Sequence, residues 1–226
     1  MKNSVFTIAC LLLFAGTSVF AQSQKELIKE HKEMNKQSAS ELNAKSTKTA
    51  LRDAKKLTKE GWMTTPGALP LDKQLDRAYK MQYEFDDNQY PKYIMAEAFS
   101  VGESYDAAKM QALELAKQNL AGQIQTQMTE LVDNTVSNQQ LKKDEAASIV
   151  KTITTSKNLI SQNLGRVIPV VEAYMETRQS YRVLVRIAYN SDMAKQAAVK
   201  VVRDELEKEG QDLHEQLDAV MGLKNN

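Results

Sequence analysis

A chain of 226 residues with 30 Lys and Arg against 29 Asp and Glu carries a formal net charge of +1, so it lacks the basic excess of a general nucleic-acid binder. Its one cysteine, Cys10, falls in the first apolar stretch, which leaves residues 22–226 without a disulfide, a thiolate metal site or a cysteine nucleophile. Beyond that stretch the longest apolar run is the five-residue "VIPVV", too short to cross a bilayer.

In chain order, Lys2, the apolar "VFTIACLLLFAG" and the small and polar "TSVFAQSQ" form the pattern of a secretory signal peptide over residues 1–21. Cleavage is expected after Ala21, with Val19 and Ala21 in the recognition positions. A lipoprotein alternative would use Cys10, but "TIA" precedes it and too little signal lies upstream. The expected product is therefore exported, to the periplasm or beyond, with a formal net charge near zero.

Residues 22–60 form a polar, helix-prone extension whose thin apolar stripes are Leu27, Ile28, Met34 and Leu42, then Ala50, Leu51, Ala54 and Leu57 after the cap-like "STKT" at 46–49. Two helices, or one bent helix, are expected, and they must lie against something to bury those stripes. Residues 61–91 form a connecting segment with a short helix. "GWMTTPGALP" breaks the first helix, Pro66-Gly67 reads as a turn, and Leu71, Leu75, Ala78 and Tyr79 recur at helical spacing. "DDNQYP" at 86–91 reads as the next turn, solvated and without the spacing of a calcium loop.

Residues 92–210 carry an α+β pattern. "YIMAEAFSV" is a strand with Tyr93, Met95, Phe99 and Val101 at even spacing. A long helix from Tyr105 to about Val132 follows, with the small-residue stripe Ala108, Ala112 and Ala116. Another helix is expected over about 139–164. "RVIPVVEAYMET" and "YRVLVRIAYN" then form a hairpin, with Tyr181, Val183, Val185, Ile187 and Tyr189 on one face and Arg182 and Arg186 on a solvated one. "NSD" at 190–192 caps a helix closed by Gly210, and residues 211–226 form a short amphipathic helical tail. The sum is a small, mainly antiparallel sheet with long helices on one face.

From Tyr93 to about Lys195 the layout, with "AAKMQALELAKQNLAGQI" at 107–124 and the closing "YRVLVRIAYN", resembles a bacterial envelope domain family that includes the Lpp-twenty-type lipoproteins and the N-terminal domain of flagellar assembly protein T. The resemblance implies an α+β envelope module that builds or interacts, with no catalytic residues to carry over. The chain departs from the lipoproteins in its lack of a lipid-attachment cysteine at a suitable position.

No phosphate-binding loop, HExxH or GxSxG motif occurs, and His31 and His214 stand far apart in sequence. No cofactor, metal site or catalytic residue is expected; an unrecognised hydrolase would need one of these histidines beside a carboxylate and a hydroxyl. Lys48, Arg52, Lys55 and Lys59 line one helical face, either as a solvated surface or as a contact for an anionic polymer, lipid headgroups or an acidic partner. Trp62 and Leu69 are the candidates of the 61–70 segment. Trp62 either pins the N-terminal helices onto the α+β domain or serves as a recognition residue. The expected function is that of a non-catalytic exported envelope protein acting by contact with envelope proteins or by self-association. The alternative is a binding module for an envelope glycan or small ligand, which would draw on Trp62 and on Tyr79, Tyr83, Tyr90 and Tyr93.

Overall fold

The computed structural model describes Lys32, residues 44–138 and residues 141–222. The expected signal peptide with Cys10 and Ala21, the Leu27, Ile28, Met34 and Leu42 stripe, and His31 lie outside the described residues. The chain divides into two units, Met1–Lys45 and Ser46–Asn226, so residues 46–60 of the expected extension belong to the second unit.

That unit runs α1 (Lys48–Lys59), α2 (Leu71–Gln82), β1 (Tyr93–Gly102), α3 (Tyr105–Ser137), α4 (Lys143–Thr155), α5 (Lys157–Asn163), β2 (Ile168–Glu176), β3 (Tyr181–Asn190), α6 (Ser191–Lys208) and α7 (His214–Met221). The fold is α+β. Its three strands form one antiparallel sheet in the order β1-β3-β2, with β1 pairing from Tyr93↔Asn190 to Gly102↔Tyr181. Local chemistry sets several starts: the side chains of Thr47, Ser104 and Asn190 accept the N–H groups of Ala50, Ala107 and Met193, as N-caps do.

One face of the sheet packs on α3. Val183, Val185, Ile187 and Tyr189 of β3, with Ile94 and Ala96 of β1, meet the fully buried Ala108, Ala112 and Ala116. Alanines bring the helix close, and Ser100 Oγ donates to the Ala108 carbonyl. A β-carbon on Gly102 would stand 2.8 Å from the Ala108 nitrogen, so glycine is what lets the strand end turn into the helix. This closeness decides which face of β1 is inside. The buried positions are Ile94, Ala96 and Ser100, whereas Phe99 remains 58% exposed and Val101 is exposed as well. The buried positions Leu120, Ile124, Met128 and Val132 continue at four-residue steps and drift around α3 by about 40° per step, so its second half faces the other helices.

The helix expected over about 139–164 is two helices. Four hydroxyls of the "TITTS" run, from Thr152, Thr154, Thr155 and Ser156, donate to carbonyls four residues back, a pattern that bends helices. The break falls at Ser156, and Gln125 of α3 donates to the carbonyls of Ile153, which also accepts the Ser156 N–H, and of Thr154.

The second face of the sheet is also covered, which corrects the expectation of helices on one side. Ala50 and Ala54 of α1, Leu71, Leu75, Ala78 and Met81 of α2, and Trp62 pack with Val170, Val171, Ala173 and Ala188. A bulge between Pro169 and Val171 turns both valines into this cluster. The arginine face of β3 is accordingly not a solvated one. The Arg182 guanidinium lies 5.9 Å from the Trp62 ring centroid and 5.6 Å from that of Phe99, and Arg186 Nε donates to Glu97 Oε2 at 2.8 Å.

Trp62 is 9% exposed, and the next residue, Met63, exchanges two 2.8 Å backbone hydrogen bonds with Tyr174 on edge strand β2. Trp62→Ala is expected to lower unfolding free energy by about 3–5 kcal/mol, the range for a lost buried aromatic. Denaturant unfolding measures it, and a variant as stable as the parent counts against Trp62 as the joint.

Candidate functional site

The segment joining α2 to β1 is built from "YEFDDNQYPK", residues 83–92. It closes as a miniature hairpin: Phe85 bridges Pro91, Asp86 N–H donates to the Tyr90 carbonyl at 2.9 Å, and Lys92 N–H donates to the Glu84 carbonyl at 2.9 Å. Asp86 Oδ1 accepts the N–H groups of Asn88 and Tyr90, an Asx arrangement that holds Gln89 at φ 65°, a left-handed conformation rare outside glycine. Lys92 Nζ adds an ion pair to Glu84 at 2.6 Å. What this tightly bonded loop displays is apolar: Tyr83, Phe85 and Tyr90 are 70%, 53% and 69% exposed.

Beside the hairpin lie two adjoining hollows of about 380 and 440 Å³ that share Tyr90, Ile94, Gln127 and Ser191. The floor of the first is apolar, with Ile124, Met128 and Met221; its rim carries Asp192 and Lys195, and the second adds Gln82 and Gln123. Ser191 anchors the wall, with its hydroxyl donating to the Pro91 carbonyl at 2.6 Å and its N–H to the Lys92 carbonyl at 3.0 Å. An apolar slot with a polar rim and flanking aromatics has the chemistry of a contact site.

The residues singled out in the sequence lie elsewhere. Trp62 is buried in the joint. Leu69 is half-buried, and its carbonyl accepts Gln74 Nε2 at 2.7 Å, while Gln74 Oε1 accepts the Glu172 N–H at 2.7 Å. Lys48, Arg52, Lys55 and Lys59 are exposed on α1. Tyr79 donates to Asp53, and Tyr93 is half-buried below the hairpin. Sequence reasoning missed Phe85; the available signal was the pair of aromatics placed symmetrically about "DDNQ", which fits a hairpin better than an open turn.

Two polar clusters serve the fold. The Tyr105 hydroxyl donates to Glu172, which also accepts Lys109 Nζ at 2.8 Å; burial, then the bond to this carboxylate, pushes the Tyr105 hydroxyl upward and keeps it protonated. The second cluster stitches α1 to α2: the Ser46 hydroxyl donates to Asp72 at 2.7 Å, Thr47 N–H to Asp76 at 2.9 Å, and the Tyr79 hydroxyl to Asp53 at 2.8 Å. Asp76 thereby sits at the positive N-terminal end of α1. Burial pushes its carboxyl upward, but the Thr47 hydrogen bonds and Lys80 outweigh this and bring it below the usual carboxylate range.

His214 is half-exposed at the start of α7 and makes no hydrogen bond or ion pair among the described residues. Among those residues no group of His, Cys, Asp and Glu is placed to hold a metal ion, and no helix is long and apolar enough to cross a membrane. No family model matches the chain, and no curated protein or solved structure matches it either.

Asp76→Asn keeps an acceptor but removes the charge, and is expected to cost about 1 kcal/mol at neutral pH, the difference between charged and neutral hydrogen bonds. Because the folded-state pKa lies below the unfolded value of about 3.9, this contribution is complete above that value and disappears as pH falls through the lower one. Thermal melts from neutral to acid pH should therefore converge for the two proteins; a gap that persists in acid assigns the loss to something other than the charge.

Proposed function

We propose that this protein is a non-catalytic, exported component of a Gram-negative cell envelope that acts by protein–protein contact through the 84–92 hairpin and the hollow beside it. The observation that carries this reading is the exposure of Tyr83, Phe85 and Tyr90 on a loop whose backbone is fixed by paired hydrogen bonds. Aromatic side chains held in place are the residues on which interfaces concentrate their energy, because little freedom is lost when they are covered. Export rests on the signal-like pattern of residues 1–21, with release to the periplasm or beyond after Ala21. The resemblance of residues 93–195 to envelope interaction modules points the same way.

The partner on this reading is another envelope protein or a second copy of the chain. A glycan ligand is the second reading, favoured by Tyr90 and the side-chain amides of Gln82, Gln123 and Gln127 around the same hollows, a set suited to stacking on and hydrogen bonding with a sugar.

Photo-crosslinking in living cells separates these readings. With the probe at Phe85 or Tyr90, a discrete protein adduct is expected, and with the probe at exposed Lys151 on α4 none. Adducts between copies identify self-association. Failure of both hairpin probes, together with binding of purified protein to envelope polysaccharide, would transfer the site to the glycan reading. Phe85→Ser should leave stability within about 0.5 kcal/mol, as surface substitutions do, so loss of the adduct in that variant reports contact rather than unfolding.

A further inference from the structure

The outward face of α1 is a surface that the hairpin leaves unused. At about 100° per residue, Lys48, Arg52, Lys55, Lys56 and Lys59 fall within an arc of about 100°, opposite the buried Ala50 and Ala54. All five are exposed, and they extend over about 17 Å of helix at about 1.5 Å per residue. Among the described residues, Arg52 alone of the five has a carboxylate within ion-pair distance, Asp53 at 3.1 Å. The sequence suggests that Asp53 and Glu60 balance this face. The fold uses Asp53 differently, because its other oxygen is taken by the Tyr79 hydroxyl on the inner side. Asp72 and Asp76 are likewise turned toward Ser46 and Thr47. Carboxylates thus knit α1 to α2 from within while the ammonium groups stand outside. The segregation extends to the whole unit: residues 46–82 hold eight Lys and Arg against four Asp and Glu, whereas residues 83–222 hold fifteen against twenty-one.

We propose that the outward face of α1 seats this domain on an anionic phospholipid bilayer. A row of five exposed cations along one helix matches an extended plane of headgroup phosphates. Leu51, 49% exposed, lies one turn from Lys48 and from Lys55 on the same side of the helix and can enter the boundary between headgroups and acyl chains. Lysine stems lie along apolar surface while their ammonium groups reach the phosphates. The opposite charge of residues 83–222 orients the approach, with α1 toward the bilayer.

The test is co-sedimentation of the full chain with phosphatidylcholine vesicles, with and without about 30% phosphatidylglycerol. Binding is expected only to the anionic vesicles and should weaken as salt is raised. Lys55→Ala/Lys59→Ala should reduce it about thirtyfold, at about 1 kcal/mol per cation near the surface. Lys151→Ala/Lys200→Ala removes the same charge from other helices and should change it far less, which separates a located face from net charge; all four lysines are exposed. Equal loss in the two double variants overturns the proposal, as does equal binding to neutral vesicles. Retention on an anionic polysaccharide without vesicle binding also overturns it and assigns the face to a polymer.

Discussion

The distance between α3 and the sheet governs most of what surrounds it. Because Ala108, Ala112 and Ala116 carry almost no side chain, the helix backbone comes close enough for Ser100 to reach the Ala108 carbonyl and for Gly102 to leave no space for a β-carbon. The inner face of β1 must then be small as well, which is why Ala96 and Ser100 are buried while Phe99 and Val101 face outward. Larger residues on the helix would recover more apolar area but would push the strand away, and well-packed interiors tolerate such overfilling poorly.

Close packing also lets α3 guard an edge. The amides of Asn119 and Gln123 donate to the carbonyls of Glu97 and Met95, on the strand that ends one side of the sheet. On the other side, Met63 pairs with Tyr174, and Gln74 accepts the Glu172 N–H. A three-stranded sheet has two edges, and unprotected edges invite pairing with other chains. Here both carry side-chain or backbone partners from within the domain. Strand addition is thus blocked at these positions.

Periodicity revealed the α+β class, the α3 alanine stripe and the alternation of β3, because each is a local pattern whose consequence is local burial. It failed where tertiary partners chose between equivalent faces. Nothing in "YRVLVRIAYN" says that a tryptophan more than one hundred residues earlier will lie against Arg182. Even spacing in "YIMAEAFSV" marks a strand without saying which face meets α3, and the face that does carries Ile94, Ala96 and Ser100. The break at Ser156 was legible in principle from four closely spaced hydroxyl residues, yet the apolar repeat from Ala146 to Leu164 continues through it and masks the bend. The aromatic hairpin was hidden for a different reason: composition marks "DDNQ" as solvated, and only the pairing of Phe85 with Pro91 turns the flanking aromatics into one surface.

Preorganisation connects the joint to that surface. The hairpin continues from α2, with Tyr83 N–H donating to the Tyr79 carbonyl, and α2 is fixed to α1 through Asp53, Asp72 and Asp76. Its other end enters β1, where Ser191 at the start of α6 holds Pro91 and Lys92. A loop tied at both ends retains little conformational freedom, so the entropy that a partner would otherwise have to remove has already been lost on folding. The left-handed Gln89 fits this account. A strained backbone residue persists where its surroundings over-determine it, and here the Asp86 carboxylate and carbonyl do so. Had the segment served only to connect a helix to a strand, a glycine at position 89 and polar residues at 85 and 90 would have made the same turn without strain and without exposing aromatic surface.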